Sequence, residues 1–314
     1  MSQLNPTNNY TPRSSFNDYR SGFVAVIGKP NVGKSTLVNT ILGTKIAAVS
    51  PWPQTTRKRQ LGIYSSQDAQ IVFIDTPGVH QPLHKLGEYM NKEAAAVLEE
   101  CDLILFMVDL SQPAGIEDEM IADLIKSLKQ DTPALLILNK VDLVKPHTAK
   151  TLQEPYQDII PQAKAIQISA ITGINLHQLI EEIISRLPVS PPFYPEDQLT
   201  DIYERDIAAD LIRESALNHL FDEVPHSISI RIDEFTERNE HGAFIAATLF
   251  VERESQKPIV IGQGGEKLKQ IGTDARLEIE KMSGRKIFLQ LRVKVRKNWR
   301  NDESALRLFG FSNK

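Results

Sequence analysis

The chain of 314 residues has a single cysteine, Cys101, and no uninterrupted apolar segment long enough to cross a bilayer. One cysteine cannot form a disulfide within the chain, and we interpret it as a small core residue of a protein from a reducing compartment. A membrane-spanning helix needs about 20 apolar residues, so the sequence predicts none. Both absences favour a cytoplasmic protein.

Charge of one sign is also lacking, because 36 lysine and arginine residues stand against 40 aspartate and glutamate residues. The net charge of −4 argues against polyanion binding through overall charge alone. The amino-terminal segment is polar and does not contain the apolar core of a signal peptide. We therefore expect residues 1–21 to form a disordered polar arm.

Strand-like and helical patterns alternate through the first half of the chain. The predicted strands are residues 23–27, 60–64, 71–74, 103–108, 134–138 and 165–168, and the predicted helices include residues 86–98, 116–128 and 175–187. This alternation predicts an α/β domain over residues 22–187 with a mainly parallel, doubly wound sheet. The short segment at residues 65–69 indicates one antiparallel hairpin within that sheet.

A glycine-rich loop lies between the first predicted strand and a helical segment, where the pattern G-x-x-x-x-G-K-[ST] binds phosphates. Its backbone N–H groups and the helix N-terminus would surround a polyphosphate. We expect Lys34 to contact the β- and γ-phosphates and Ser35 to bind Mg²⁺. The predicted phosphate-binding residues are Gly28, Lys29, Pro30, Asn31, Val32, Gly33, Lys34, Ser35 and Thr36.

A second motif indicates which base is bound. A buried carboxylate at Asp142 can accept hydrogen bonds from N1–H and the 2-amino group of guanine, a donor pair that adenine lacks. Each such charge-assisted bond is worth about 1.5–3 kcal/mol. An isolated N-K-x-D string is also compatible with an exposed turn, but downstream of a phosphate loop it predicts a guanine site. The motif residues are Asn139, Lys140, Val141 and Asp142.

Three further segments complete the predicted nucleotide site. Asp75 follows a strand and can hold Mg²⁺ through water, and the backbone N–H of Gly78 can sense a γ-phosphate. Backbone N–H groups of Ser169 and Ala170 can face the guanine carbonyl. Thr56, on a polar loop, is our preferred additional Mg²⁺ ligand, with Thr55 left open. Thr76, Pro77 and Val79 complete the set of nucleotide-binding residues.

Residues 28–37, 53–57 and 75–80 together resemble the Era-like GTPases, a family of the translation-factor class. The resemblance implies that Val79 replaces a water-orienting glutamine and that Asn31 matches a position that helps bind a potassium ion. It therefore implies slow turnover, at or below about 10⁻⁴ to 10⁻² s⁻¹. Potassium dependence is a hypothesis. The catalytic residues that we predict are Lys34, Thr56, Gly78 and Asn31.

A proline-rich segment at residues 188–200 predicts a stiff linker that ends the first domain. After it, the predicted order of elements is α-β-β-α-α-β over residues 201–300, with residues 301–314 as a tail. Gly262, Gln263, Gly264 and Gly265 join two helical segments and resemble the GXXG loop of a prokaryotic-type, or type II, KH domain. Such a loop clamps about four single-stranded nucleotides.

Basic residues concentrate beside this loop, since residues 253–314 contain 15 lysines and arginines against 7 acidic residues. Strand alternation places Arg292, Lys294 and Arg296 on one face, with Trp299 as a ring for stacking on bases. A merely solvated edge strand is the alternative. The predicted RNA-binding residues are Ile261, Gly262, Gln263, Gly264, Gly265, Lys267, Lys269, Arg292, Lys294 and Arg296.

The resemblance covers residues 22 to about 300 and implies a function in ribosome assembly. It implies binding near the 3′ end of 16S ribosomal RNA and assistance to maturation of the 30S subunit. We expect a monomer. We expect GTP and Mg²⁺ to order the loops around the γ-phosphate so that nucleotide state gates RNA binding. Peripheral contact with the inner membrane and a protein-docking role for the second domain stay open.

Overall fold

Two domains, each built on its own β-sheet, form the part of the chain that the computed structural model describes, residues 18–239 and 242–311. The predicted arm lies mostly outside these residues. Its predicted end at residue 21 is wrong, because Arg20 and Ser21 already belong to the first strand. Ser21 is buried, and its hydroxyl donates to the carbonyl oxygen of Pro191 at 2.7 Å. Sheet pairing therefore extends the strand into polar sequence that an apolar run could not reveal.

The first domain is the predicted doubly wound α/β fold. Its elements are β1 (Arg20–Ile27), α1 (Lys34–Leu42), β2 (Gln60–Ser65), β3 (Ala69–Asp75), α2 (Lys85–Glu100), β4 (Leu103–Asp109), α3 (Ile116–Lys126), β5 (Ala134–Asn139), α4 (Ala149–Ile159), β6 (Lys164–Gln167) and α5 (Leu176–Arg186). The sheet order is β2-β3-β1-β4-β5-β6, with β2 antiparallel to β3 and the other neighbours parallel. The predicted hairpin is therefore confirmed.

Helices cover both faces of this sheet, which explains the continuous apolar sequence of the central strands. Helices α1 and α5 pack on one face, and α2, α3 and α4 pack on the other. The carboxyl ends of the parallel strands meet at one edge, where ligands of open α/β sheets bind. The loops that follow β1, β3, β5 and β6 are thereby brought together.

Helix α4 was not predicted from the sequence, because it is polar and contains Pro155. A proline inside a helix removes a backbone hydrogen bond and normally ends it. Tertiary contacts hold this helix in place. Tyr156 is fully buried, and its hydroxyl donates to the carbonyl oxygens of Asp109 at 3.1 Å and Gln112 at 3.0 Å.

The second domain has the predicted order of elements and two additional short helices. Its elements are α6 (Glu204–His219), α7 (Val224–Ser227), β7 (Ser229–Asn239), β8 (Gly242–Val251), α8 (Gln256–Ile261), α9 (Glu266–Ser283), β9 (Lys286–Val295) and α10 (Glu303–Leu308). In its sheet, β8 pairs antiparallel with β7 and parallel with β9. Helices α6 and α9 cover one sheet face. No helix in the described ranges combines the length and the apolar character needed to cross a membrane.

The proline-rich linker lies against the first domain along the β2–β3 side of the sheet. The side-chain amide of Gln70 donates to the carbonyl oxygen of Tyr194 at 2.9 Å, and the N–H of Ile63 donates to that of Leu199 at 2.8 Å. The rings of Phe23 and Phe193 lie 4.9 Å apart. Proline restricts the linker, and these contacts also anchor it.

The segment predicted as a tail packs between the domains. Phe309 and Phe311 are buried in a cluster with Trp299 and with Leu86 and Met90 of α2. Trp299 is fully buried and donates its indole N–H to the carbonyl oxygen of Ser227 at 2.7 Å. The prediction that Trp299 stacks on bases is therefore wrong, because the ring is part of the core that joins the two domains.

Candidate nucleotide and RNA sites

The phosphate loop turns closely between β1 and α1, and its glycines are required there. A Cβ atom at Gly28 would lie 2.2 Å from the carbonyl oxygen of Met107, and one at Gly33 would lie 2.4 Å from Nδ2 of Asn139. Gly33 also has φ of 106°, which L side chains rarely adopt. Helix α1 begins at the next residue, so its N-terminal N–H groups face the loop.

Lys34 and Lys29 occupy different environments in this loop. Lys34 is buried, and its Nζ donates to the carbonyl oxygens of Gly28 at 3.0 Å and Lys29 at 3.1 Å. Desolvation lowers the pKa of Lys34 to about 8, against the attraction of Asp75. A polyphosphate would favour the charged form. Lys29 instead forms an ion pair with Asp118 of α3 at 2.8 Å.

Three side-chain oxygens converge beside the loop, as the sequence predicted for an Mg²⁺ site. The Ser35 hydroxyl donates to Oδ2 of Asp75 at 2.6 Å, and the Thr56 hydroxyl lies 2.9 Å from Ser35 Oγ and 3.3 Å from Asp75 Oδ2. Asp75 Oδ1 is buried and has no hydrogen-bond partner among the described residues. Burial raises the pKa of Asp75. This oxygen donor set and the orphaned carboxylate oxygen fit Mg²⁺.

The geometry favours Thr56 over Thr55 as the third oxygen. The Thr55 hydroxyl donates to the carbonyl oxygen of Trp52 at 2.8 Å and lies 2.7 Å from Ser50 Oγ, within its own loop. Thr76 is also structural in this arrangement, because its hydroxyl donates to the carbonyl oxygen of Val26 at 2.8 Å.

The residues after β5 and β6 line the other end of the same cavity, which has a volume of about 530 Å³. Asn139 connects the loops, since its Nδ2 donates to the Val32 carbonyl oxygen at 2.7 Å and its Oδ1 accepts from the Ala170 N–H at 2.9 Å. Lys140 pairs with Asp109 at 2.7 Å. Asp142 also lines this cavity, and we expected its carboxylate to be buried. The carboxylate is exposed, so the expectation of burial is wrong for the protein alone.

The N–H groups predicted to face guanine already donate within the protein. The Ser169 N–H donates to the Ile174 carbonyl oxygen at 3.2 Å, and the Ala170 N–H donates to Asn139. A base carbonyl at this position would therefore have to share the Ala170 N–H with Asn139.

The segment after β3 approaches the phosphate loop closely. A Cβ atom at Gly78 would lie 2.8 Å from Cα of Pro30, so only glycine fits. Val79 is buried, and its N–H donates to the Gly28 carbonyl oxygen at 3.3 Å. His80 Nδ1 lies 3.0 Å from the Gly78 carbonyl oxygen. Asn31, with φ of 64°, donates its side-chain amide to the Pro51 carbonyl oxygen at 2.7 Å.

The GXXG loop lies exposed between α8 and α9. Gly264 and Gly265 have φ of 60° and 85°, and a Cβ atom at either would meet open space. A Cβ at Gly262 would lie 2.7 Å from Cβ of Lys267, so this glycine allows the close turn. Lys269, one turn into α9, is exposed. The loop is accessible to an extended chain.

A groove of about 360 Å³, which the sequence did not indicate, starts at this loop. Its walls combine apolar side chains of α9 and β9 with two cations on α9. They are Gly265, Leu268, Lys269, Gly272, Thr273, Arg276, Leu289 and Leu291. The periodicity of β9 could have indicated Leu289 and Leu291, which alternate with exposed residues, but the match to α9 is a tertiary contact.

The basic residues of β9 lie on the opposite side of the sheet from this groove. Arg292 and Lys294 are exposed on the face that helices leave open, together with Phe288. The placement of Arg296 on that face stays a prediction. It follows the end of β9, and its guanidinium pairs with Asp302 at 2.9 Å.

Comparison with known proteins identifies the parts of the chain. Residues 23–140 match a family model described as 50S ribosome-binding GTPase, and residues 223–300 match a KH domain model. A crystal structure of Era with MgGDPNP and nucleotides 1506–1542 of 16S ribosomal RNA is 40% identical, with a TM-score of 0.89. The similarity covers 94% of this chain and 100% of that one.

This chain belongs to the Era family. A second structure, a variant of Aquifex aeolicus Era bound to GDP·AlF4⁻, is 39% identical with a TM-score of 0.88 and the same coverage. The predicted resemblance is confirmed, as are the two folds. As a member of the Era family the protein is a GTPase.

The two threonines give a direct test of the Mg²⁺ site in this Era-family protein. Thr56→Ala removes the hydroxyl next to Ser35 and Asp75, so we expect GTP hydrolysis at limiting Mg²⁺ to fall by about 10–100-fold. Thr55→Ala is the matched control and should keep the Mg²⁺ requirement of the wild type, because the Thr55 hydroxyl makes its contacts within its own loop and not with Ser35 or Asp75. The test is the hydrolysis rate of both variants measured across Mg²⁺ concentrations. A larger loss of rate in Thr55→Ala than in Thr56→Ala would contradict the assignment of Thr56 as the Mg²⁺ ligand.

Proposed function

We propose that this protein binds GTP with Mg²⁺ and holds the 3′ region of 16S ribosomal RNA through its KH domain while the 30S subunit matures. Slow hydrolysis of GTP then lowers the affinity of the KH domain for the RNA. The exposed GXXG loop and the groove beside it, in the same chain as a GTPase cavity, carry this proposal. The Era relative bound to nucleotides 1506–1542 supports the choice of RNA. We further propose a cytoplasmic monomer.

Guanine selection by Asp142 is part of the proposal. Asp142 and Asn139 line the same cavity as Lys34 and Ser35, so one molecule can reach both the phosphate loop and the base motif. Asn139 is already fixed to both neighbouring loops. The Asp142 carboxylate is exposed and available to accept the two guanine donors.

Slow hydrolysis follows from the side chain at residue 79. A water attacking the γ-phosphate needs a polar group to orient it, and Val79 is apolar and buried. The neighbouring His80 ring is held by the Gly78 carbonyl oxygen and lies 2.9 Å from the side-chain amide nitrogen of Gln54. Catalysis therefore depends on positioning and on cations at the phosphates.

Potassium is the cation that we propose at Asn31. Hydrolysis should be faster in potassium than in sodium buffer at equal ionic strength. Asn31→Gly, which keeps the left-handed backbone allowed, should remove this preference. Equal rates of the wild-type protein in both buffers would contradict the role of potassium, while the preference for guanine would stand.

RNA has two surfaces available on the KH domain. The groove beside the GXXG loop suits about four nucleotides. The open face of the sheet carries Arg292 and Lys294 next to the stacked rings of Phe244 and Phe288, whose centroids are 5.7 Å apart. Phe288 is 61% exposed, and exposed aromatic rings beside cations bind single-stranded nucleic acid. We propose that a longer RNA contacts both surfaces.

Gly264→Asp tests the RNA clamp without altering the GTPase cavity. The new side chain has open space but a strained backbone, since φ is 60°; the control described next shares that strain, so the difference between the two variants reports negative charge at a phosphate position. We expect RNA affinity to fall about ten-fold or more, which corresponds to about 1.4 kcal/mol. Binding of RNA from the 3′ end of 16S ribosomal RNA and GTP hydrolysis without RNA are measured together.

Gly284→Asp is the matched control, because Gly284 has φ of 70°, equally open space and a position at the far end of α9. It should bind RNA as the wild type does. Unchanged RNA affinity in Gly264→Asp would instead favour a protein-docking role for the second domain.

A further inference from the structure

A buried arginine of the KH domain binds the loop that carries Thr56. Arg213 lies on α6 and is 4% exposed. Its Nη2 donates to the carbonyl oxygen of Gln54 at 2.5 Å, and its Nη1 donates to that of Thr55. A guanidinium is planar and presents its donors in a fixed fork, so two consecutive carbonyls are held in one orientation.

Arg213 binds a segment of backbone that has an unfavourable conformation. Gln54 has φ of 63°, in the left-handed region that a residue other than glycine rarely occupies. Such conformations persist where the surroundings hold them. The next two positions are Thr55 and Thr56, and the Thr56 hydroxyl must reach Ser35 and Asp75. The fork therefore fixes the direction in which the chain enters the proposed Mg²⁺ site.

The KH domain also holds the residue that follows Thr56. Arg57 is buried, and its Nη1 donates to the carbonyl oxygen of Ile228 at 2.8 Å. Its guanidinium lies 5.4 Å from the centre of the Trp299 ring. Thr56 is thus bracketed on both sides by contacts to the second domain.

Arg213 remains a cation in this setting. Burial lowers its pKa to about 10, and the nearby Asp210 opposes the shift. Asp210 itself accepts from the side-chain amide of Gln60 at 2.5 Å, so α6 contacts both the loop and β2. A charged donor forms stronger hydrogen bonds to carbonyl oxygens than a neutral one.

Contacts inside the KH domain connect Arg213 to the GXXG loop. The Ser215 hydroxyl on α6 donates to the carbonyl oxygen of Ile271 on α9 at 2.8 Å. Lys45 of the first domain bridges Glu214 on α6 at 2.7 Å and Glu278 on α9 at 2.8 Å. Helix α9 begins directly after the GXXG loop. Helices α6 and α9 are therefore joined by direct contacts and by the bridge from Lys45.

We propose that Arg213 is a positioning residue for GTP hydrolysis, through which the KH domain holds Thr56 at the Mg²⁺ site and RNA occupancy changes the hydrolysis rate. The inference rests on the proposed function for the RNA response but not for the basal reaction.

The experiment compares full-length Arg213→Gln and Arg213→Lys with Arg285→Gln. Arg285 is the matched control, since its ion pairs in the described part of the chain are with Glu204 and Glu237 of the KH domain. GDP affinity, basal hydrolysis across Mg²⁺ concentrations, and the increase in hydrolysis caused by RNA are measured for each. GDP affinity reports an intact cavity, because the Thr56 loop responds to the γ-phosphate.

Arg213→Gln should bind GDP as the wild type does and should require more Mg²⁺ for hydrolysis. The factor by which RNA increases its hydrolysis rate should be smaller than that of the wild type by about five-fold or more, which is the lower end of typical coupling between sites. Arg213→Lys keeps the charge but reaches one carbonyl, so it should recover part of the loss. If both variants match Arg285→Gln in Mg²⁺ requirement and RNA response, the inference is overturned. If the wild type shows no RNA response, the gating part of the proposed function fails, and the Mg²⁺ requirement alone decides on Arg213.

Discussion

The buried carboxylate of Asp75 is the interaction on which the nucleotide site depends. It lies at the end of β3 without solvent, and it accepts hydrogen bonds from Ser35 on α1 and Thr56 on the neighbouring loop. Burying a carboxylate is costly unless a cation or hydrogen bonds compensate it. Lys34 supplies one nearby charge, and Mg²⁺ would supply the larger one. The carboxylate that would hold Mg²⁺ also accepts a hydrogen bond from Thr56, so it stabilises the position of the loop that carries Thr56.

The second domain contacts the first at the loop that carries Thr56. The two-domain arrangement therefore connects the KH domain to the proposed Mg²⁺ site. Arg213 of the KH domain binds the backbone that precedes Thr56, and the side chain of Arg57, which follows Thr56, donates to the KH-domain carbonyl oxygen of Ile228. The cluster around Trp299 joins α10 to α2. Contacts of this kind transmit a local change only if the loop has two arrangements of similar free energy. The bound γ-phosphate is what would select between them.

Much of this organisation could be predicted from the sequence, because the deciding motifs are contiguous. The phosphate loop, Asp75 and Asn139 each follow a recognisable strand, and parallel strands place their carboxyl ends at one edge. Tertiary contacts could not be predicted in the same way. Helix α4 depends on the buried Tyr156, and the fork of Arg213 joins residues far apart in the chain. The prediction that Trp299 stacks on bases was wrong because the sequence pattern of a tryptophan beside cations does not show whether the ring is exposed or buried.

The central claim is that the nucleotide bound to the first domain determines the affinity of the second domain for RNA. Its most direct test is equilibrium binding of RNA from the 3′ end of 16S ribosomal RNA to the wild-type protein with MgGDPNP and with GDP. The account predicts tighter binding with MgGDPNP, by about five-fold or more. Equal affinities in the two states would contradict it.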